Sequence, residues 1–189
     1  MKKFFKKTIW ISSIFFYFFQ IEVARAIVPY YYFPTIKNLQ KQSLYIGKNA
    51  YQLLYFGQYE DSLNLAKLAL KINSKDEKLW LILAEAQIAN KKYKNALNSL
   101  NKAEQINSNI SEIYFAKSNV YLKISQQTKA KNALDFGLKI DPNNHKAIFQ
   151  LGNILLIEKN YLESINLFNK SLEIKPDFWQ AINNKNIKI

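Results

Sequence analysis

The sequence predicts an all-α fold, an α-solenoid of stacked helix pairs. Three observations predict it. The chain of 189 residues holds only four Gly and four Pro, too few for many tight turns between short strands. Ile72, Ile106, Ile140 and Ile174 recur every 34 residues. Small residues keep the same period, at Ala50, Ala84, Ser118 and Gly152, at Ser62, Ala96, Ala130 and Ser164, and at Ala69, Ala103, Gly137 and Ser171. Antiparallel helices approach closely only where side chains are small, so such a period marks repeated helix crossings.

Residues 1–26 stand outside the period. Lys2, Lys3, Lys6 and Lys7 give a positive start, and Thr8 to Ile21 is an apolar stretch. Val23-Ala24-Arg25-Ala26 then places small residues where a signal peptidase reads. This is the layout of a signal or anchor helix. The apolar stretch, 14 residues long, is short for a span of about 20. Two outcomes stay open, cleavage after Ala26 or retention as a membrane anchor. Lysines ahead of an apolar segment stay in the cytoplasm, so both outcomes export the rest of the chain, across a membrane to a space such as a periplasm or tethered to that membrane.

Residues 27–42 form an arm and the start of the first helix. Pro29 and Pro34 bracket Tyr30, Tyr31, Tyr32 and Phe33, which disfavours helix before Thr35, whose hydroxyl can act as an N-cap. The aromatics suit either a membrane-interface belt or partner contact, or an arm packed on the first helix. Beyond them the pattern predicts helices over 36–56, 59–72, 76–90, 93–106, 110–124, 127–140, 144–158 and 161–174. Residues 179–189 read as a capping half-repeat, with Trp179 and Ile182 covering the last apolar face.

The repeat pattern resembles the tetratricopeptide repeat. Four copies run in phase over 43–76, 77–110, 111–144 and 145–178. Large residues fall at position 4 (Ile46, Trp80, Tyr114, Ile148), small ones at 8, 20 and 27, and tyrosine at 17 in three copies (Tyr59, Tyr93, Tyr161). Pro142 and Pro176 match position 32, where Ser74 and Ser108 stand in the first two copies. Gln127 departs at position 17, and Asn49 and Lys117 replace the usual Leu at position 7.

The resemblance implies that the first helix of each pair lines a concave groove for a partner peptide. It places Lys78, Leu81, Glu85 and Ile88 on the groove in the second copy. In the third it places Phe115, Asn119, Leu122 and Lys123, and in the fourth Lys146, Phe149, Asn153 and Leu156. Phe115/Asn119 and Phe149/Asn153 form one constellation twice. Each asparagine amide can both donate to and accept from an extended backbone, and each Phe offers an apolar anchor. The family's clamp for chaperone C-termini needs Lys and Asn where this chain has Gly47 and Tyr51, which disfavours that role.

Catalytic and metal chemistry is not expected. The chain has no Cys, and its single histidine, His145, is expected at the exposed start of a repeat. Four scattered glycines cannot build a phosphate-binding loop, so no cofactor is expected. The acidic pairs Glu60/Asp61 and Asp76/Glu77 suit helix N-termini. The net charge of +13 falls to +9 without residues 1–26, which hold five positive charges and one negative. The lysines are spread out and Arg25 is the only arginine, so a nucleic-acid partner is not expected.

The expected function is therefore a non-enzymatic scaffold or adaptor, exported or membrane-tethered. It would bind segments of other proteins, and the membrane through its N-terminus if uncleaved. The layout is similar to small tetratricopeptide proteins of cyanobacteria, including photosystem assembly factors, which implies a role in assembling a membrane complex. The alternatives are a cell-envelope scaffold in secretion, pilus or wall assembly, and a basic binder of nucleic acid or anionic lipid. Charge-driven binding of the last kind would fall steeply between about 50 and 200 mM salt.

Overall fold

The computed structural model describes residues 36–185. The signal or anchor segment, the Pro/aromatic arm before Ile36 and the last residues of the chain lie outside the described residues. Among the described residues there is no strand. The helices are α1 (Ile36–Tyr55), α2 (Tyr59–Ile72), α3 (Glu77–Ala89), α4 (Tyr93–Ile106), α5 (Ser111–Lys123), α6 (Gln127–Ile140), α7 (His145–Ile157), α8 (Tyr161–Ile174) and α9 (Trp179–Lys185). The second helix of each pair has the predicted bounds. The first helices α3, α5 and α7 are one residue shorter at each end, because the flanking residues are caps. Asp76 is extended and accepts from the amides of Lys78 and Leu79, and Asn144 accepts from Ala147.

One local device ends every first helix. Gly57, Lys91, Ser125 and Lys159 lie 34 residues apart, and all have φ between 59° and 77°. Each donates to the carbonyl three residues back, and the next amide reaches five back, as in Gln58 to Leu53 at 2.9 Å and Gln126 to Tyr121 at 2.8 Å. This pair of bonds closes a helix through one left-handed residue, reversing the chain at once into the second helix. Only the first copy uses glycine, the residue that adopts this conformation without Cβ strain.

Within a pair, the helices cross where the small residues lie. Ser62 Oγ donates to the Ala50 carbonyl at 2.7 Å, and Ser164 Oγ donates to that of Gly152 at 2.8 Å. The equivalent Ala96 and Ala130 are fully buried. A Cβ added to Gly152 would come within 2.7 Å of the Phe168 ring, so glycine there lets the phenylalanine of α8 lie against α7.

Between pairs, the incoming first helix buries several residues against the pair before it, and the first of these is the plug of the joint. Leu79 joins the core cluster of Ala50, Leu63, Ala66 and Leu70 from the pair before it. Ile113 does the same with Ala96, Leu100 and Ala103, and Ala147 with Ala130 and Leu134. All three are at most 3% exposed, whereas Tyr45, at the same place in the first copy, is 66% exposed. A buried Leu of this kind contributes roughly 1.5–3 kcal/mol.

The cap corrects one expectation. Phe178 and Ala181 are the buried residues there, while Trp179 is 63% and Ile182 40% exposed. Ala181 sits at the plug position of Leu79, Ile113 and Ala147. Ile182 sits at the position of Tyr114, which faces the second helix of its own pair through Phe136, at a ring distance of 6.0 Å. No described helix follows α9 to serve Ile182 in that way.

Candidate functional site

The first-helix face is built on α3 and α5, which touch directly. Leu81, Glu85 and Ile88 of α3 are half-buried, and Lys78 is exposed. On α5, Phe115, Asn119 and Leu122 are half-buried and Lys123 is exposed. On α7, Phe149, Asn153 and Leu156 are half-buried and Lys146 is exposed.

The two Phe–Asn pairs are not equivalent in space. A Cβ on Gly137 would collide with the Phe115 ring, so Phe115 packs flush onto α6. Phe149 meets Phe168 at 5.5 Å and Phe178 at 5.1 Å, the second edge-on. Both rings are therefore partly core. Asn153 Oδ1 accepts from Asn184 Nδ2 of α9 at 2.6 Å, which commits it to the cap. Asn119 forms no side-chain hydrogen bond among the described residues, so its amide is available to a ligand.

Glu85 stands one turn along α3 from Leu81, and its carboxylate has no hydrogen-bond or ion-pair partner among the described residues. Burial, and then the nearby Glu112 carboxylate, push its pKa above the usual carboxylate value. Beside it lies a cavity of about 580 Å³ lined by Lys78 and Leu81 of α3, the Asn109–Glu112 stretch entering α5, and Ile140 and Asp141 at the end of α6. Lys78 and Leu81 were named from the sequence. Ile140 is one of the isoleucines that recur every 34 residues, and the remaining lining, Asn109 to Glu112 and Asp141, comes from the turns between helices and the first residues of α5, which carry no mark of a groove.

Of the other residues named from the sequence, one departs from its expected place. His145 is half-buried rather than exposed, because Phe178, just ahead of α9, lies against it. Its ring stands edge-on to Phe178 at 5.0 Å, and its Nε2 is buried without a partner. Burial first, then Lys175 and Lys146, lower its pKa against the opposing pull of Asp177. Lys117, at a position of the usual Leu, is buried and pairs with Glu104. Glu60 and Asp61 occupy the first turn of α2, Asp76 caps α3, and Glu60 pairs with Lys92 at 3.2 Å. Among the described residues no group of His, Asp or Glu could hold a metal ion, and no helix is long and apolar enough to cross a membrane.

The tetratricopeptide repeat model matches residues 77–110, 111–144 and 145–178, in the register read from the sequence. No curated protein matches the chain. Among solved structures, the chain is similar to TTC0263, a thermophilic protein of this type in Thermus thermophilus, at 18% identity and a TM-score of 0.67, over 74% of this chain and 77% of that one. It is similar to YrrB, described as having an unusual peptide-binding site, at 19% identity and a TM-score of 0.63, over 73% and 71% of the two chains. It is also similar to the first repeat domain of Spaghetti (RPAP3), bound to the HSP90 peptide SRMEEVD, at 18% identity and a TM-score of 0.60, over 64% of this chain and 95% of that one. At these identities the likeness is one of fold.

Proposed function

This chain belongs to the tetratricopeptide repeat family, and on that premise we propose that it is a protein-binding scaffold whose contact surface is the first-helix face of the second and third repeats. The observation that carries this reading is a pair of half-buried polar side chains, Glu85 and Asn119, left without internal partners among the described residues. They lie on the adjoining helices α3 and α5, beside half-buried Leu81 and Leu122. A polar group withdrawn from water without a partner costs stability, so a partner that satisfies it recovers that cost on binding. The fourth repeat contributes less, because Asn153 already serves the cap. Two neighbours, described as holding a peptide or having a peptide-binding site, support the same use of the fold. This chain lacks the chaperone-tail clamp, having Gly47 and Tyr51 in its place.

The finer reading is an exported or membrane-tethered adaptor that holds a segment of another protein while a multiprotein complex assembles. The lysine-rich start, the apolar stretch and the small residues before Ala26 support the export. Capture by the tagged full chain from native membranes tests the surface. Asn119→Ala with Leu122→Ala should abolish recovery of specific partners and leave the helical content unchanged. An unchanged partner profile rejects the surface, and recovery of nucleic acid alone rejects the scaffold.

A further inference from the structure

The cavity beside Leu81 has a chemical character opposite to that of the chain. The protein carries a formal charge of +13, yet the cavity is lined by Glu112 and Asp141, with Glu85 one turn beyond Leu81. None of the three carboxylates has a cation partner among the ion pairs of the described residues. Glu112 takes a hydrogen bond from Ser111 Oγ at 3.2 Å, and Asp141 takes one from Asn144 Nδ2 at 3.0 Å, both neutral donors. Lys78, the cation in the lining, is exposed and pairs with neither. The walls between these groups are apolar, from Leu81, Ile110 and Ile140.

We propose that this cavity is a specificity pocket of the first-helix face, and that it takes a lysine or arginine side chain next to an apolar residue on an extended segment of a partner protein. The inference rests on the scaffold reading above. A long cationic side chain matches the lining in both its parts. Its methylene stem covers the apolar walls while its head reaches the carboxylates. The pocket is of the size that encloses small groups, about 300–1,000 Å³ in general. A bare metal ion does not fit, because among the described residues no three such side chains are grouped closely enough to ligate one. An acidic segment such as the SRMEEVD peptide of the Spaghetti structure would meet like charge here. The segment's neighbouring peptide group would lie toward Asn119, whose amide can bond its backbone.

An array of extended peptides tests this, with one position running through every residue type and the full chain as the tagged probe. The expected result is selection of Lys and Arg at one position and of Leu, Ile or Val beside it. The same cationic peptides should lose at least about tenfold in affinity when the lysine is acetylated. The variant Glu112→Gln/Asp141→Asn, which keeps both hydrogen-bond acceptors, should retain peptide binding and lose the preference for Lys and Arg. Peptides that bind with no cationic preference, or a preference that survives this variant, overturn the pocket and leave the scaffold surface standing. If no peptide's binding is removed by Leu81→Ala/Leu122→Ala, the scaffold surface falls and the pocket with it.

Discussion

At the scale of the residue, the informative positions are those where a charge replaces the expected apolar side chain or lacks a partner. Lys117 occupies a place held by Leu83 and Leu151 in the neighbouring repeats, and it survives burial by pairing with Glu104. Removing one partner of a buried pair strands the other, whereas replacing the charge by a hydrophobe of similar size is often neutral or stabilising. Glu104→Ala should therefore destabilise the fold, by about 1–2 kcal/mol, since Glu104 is a third exposed and water screens part of the loss. Lys117→Leu should leave stability equal or raise it, and urea melts of the two variants check the contrast. Glu85 makes a second prediction, through pH. Its folded pKa is raised above the ordinary 4.5, so the folded chain holds the proton more tightly than the unfolded chain. The stability this gives is complete below the ordinary value and is lost as pH rises through the folded pKa. Glu85→Gln, which is neutral throughout, should thus melt higher than the parent at neutral pH, and the gap should close in acid. Thermal melts across that range measure it. A cationic peptide should reverse the order at neutral pH, because it stabilises the carboxylate and not the amide.

At the scale of the element, the turns hold what the periodicity left out. Helix existence, order and register were legible because packing forces the same small and large residues to recur every 34 positions. The left-handed residue that closes each first helix was not legible, because glycine marks it only once, at Gly57. Lys91, Ser125 and Lys159 accept the strain since two backbone hydrogen bonds hold each in place. An L-residue in this region costs roughly 1–2 kcal/mol, and glycine returns part of that gain through its freer unfolded chain. Lys91→Gly and Lys159→Gly should each stabilise by about 0.5–1 kcal/mol, read as a rise in the urea midpoint with unchanged slope. The turn between pairs follows a second rule. Where Ser74 and Ser108 replace the family's proline, the aromatic six residues on ties the turn: Trp80 Nε1 donates to the Ser74 carbonyl at 2.8 Å, and Tyr114 Oη to that of Ser108 at 3.0 Å. Where Pro142 and Pro176 stand, the equivalent residues are Ile148 and Ile182, which cannot donate. Ring and hydrogen bond are alternative ways of fixing one turn. Asn73 and Asn107, before the serines, already hold the extended backbone that a following proline demands, with φ of −138° and −148°, close to the −124° and −135° of Asp141 and Lys175 before the actual prolines. Ser74→Pro should then stabilise by about 0.4–1 kcal/mol, and Trp80→Phe should cost less in that background than in the parent. A double-mutant cycle on these two sites gives the answer.

At the scale of the whole array, stability passes between neighbours, so the two ends behave differently from the middle. Each plug residue ties one pair to the next, and the joints are chemically unequal: Leu79 and Ile113 are large plugs, while Ala147 and Ala181 are small ones. The site follows the same gradient. The first-helix positions read from sequence fall on one face, but their availability depends on long-range partners that a local pattern does not report. Asn119 and Asn153 look identical in sequence, and only the return of α9 separates them, because Asn184 closes on Asn153 from 31 residues away. The cap thus both stabilises the last pair and withdraws one polar contact from it. Phe178 is the hinge of that arrangement, being 8% exposed and edge-on to Phe149 and His145. Phe178→Ala should remove roughly 3–5 kcal/mol of local packing, the usual cost of a buried phenylalanine. In an array with nearest-neighbour coupling that loss stays near the end where it arises. Amide hydrogen exchange should therefore accelerate across α7, α8 and α9 and remain at parent rates in α3 and α4. If the cap stabilised the array as one cooperative unit, exchange would quicken equally in every helix. The same variant frees Asn153, so peptides that engage the third repeat should gain contact with the fourth, and a bound footprint read by exchange should extend from α5 onto α7.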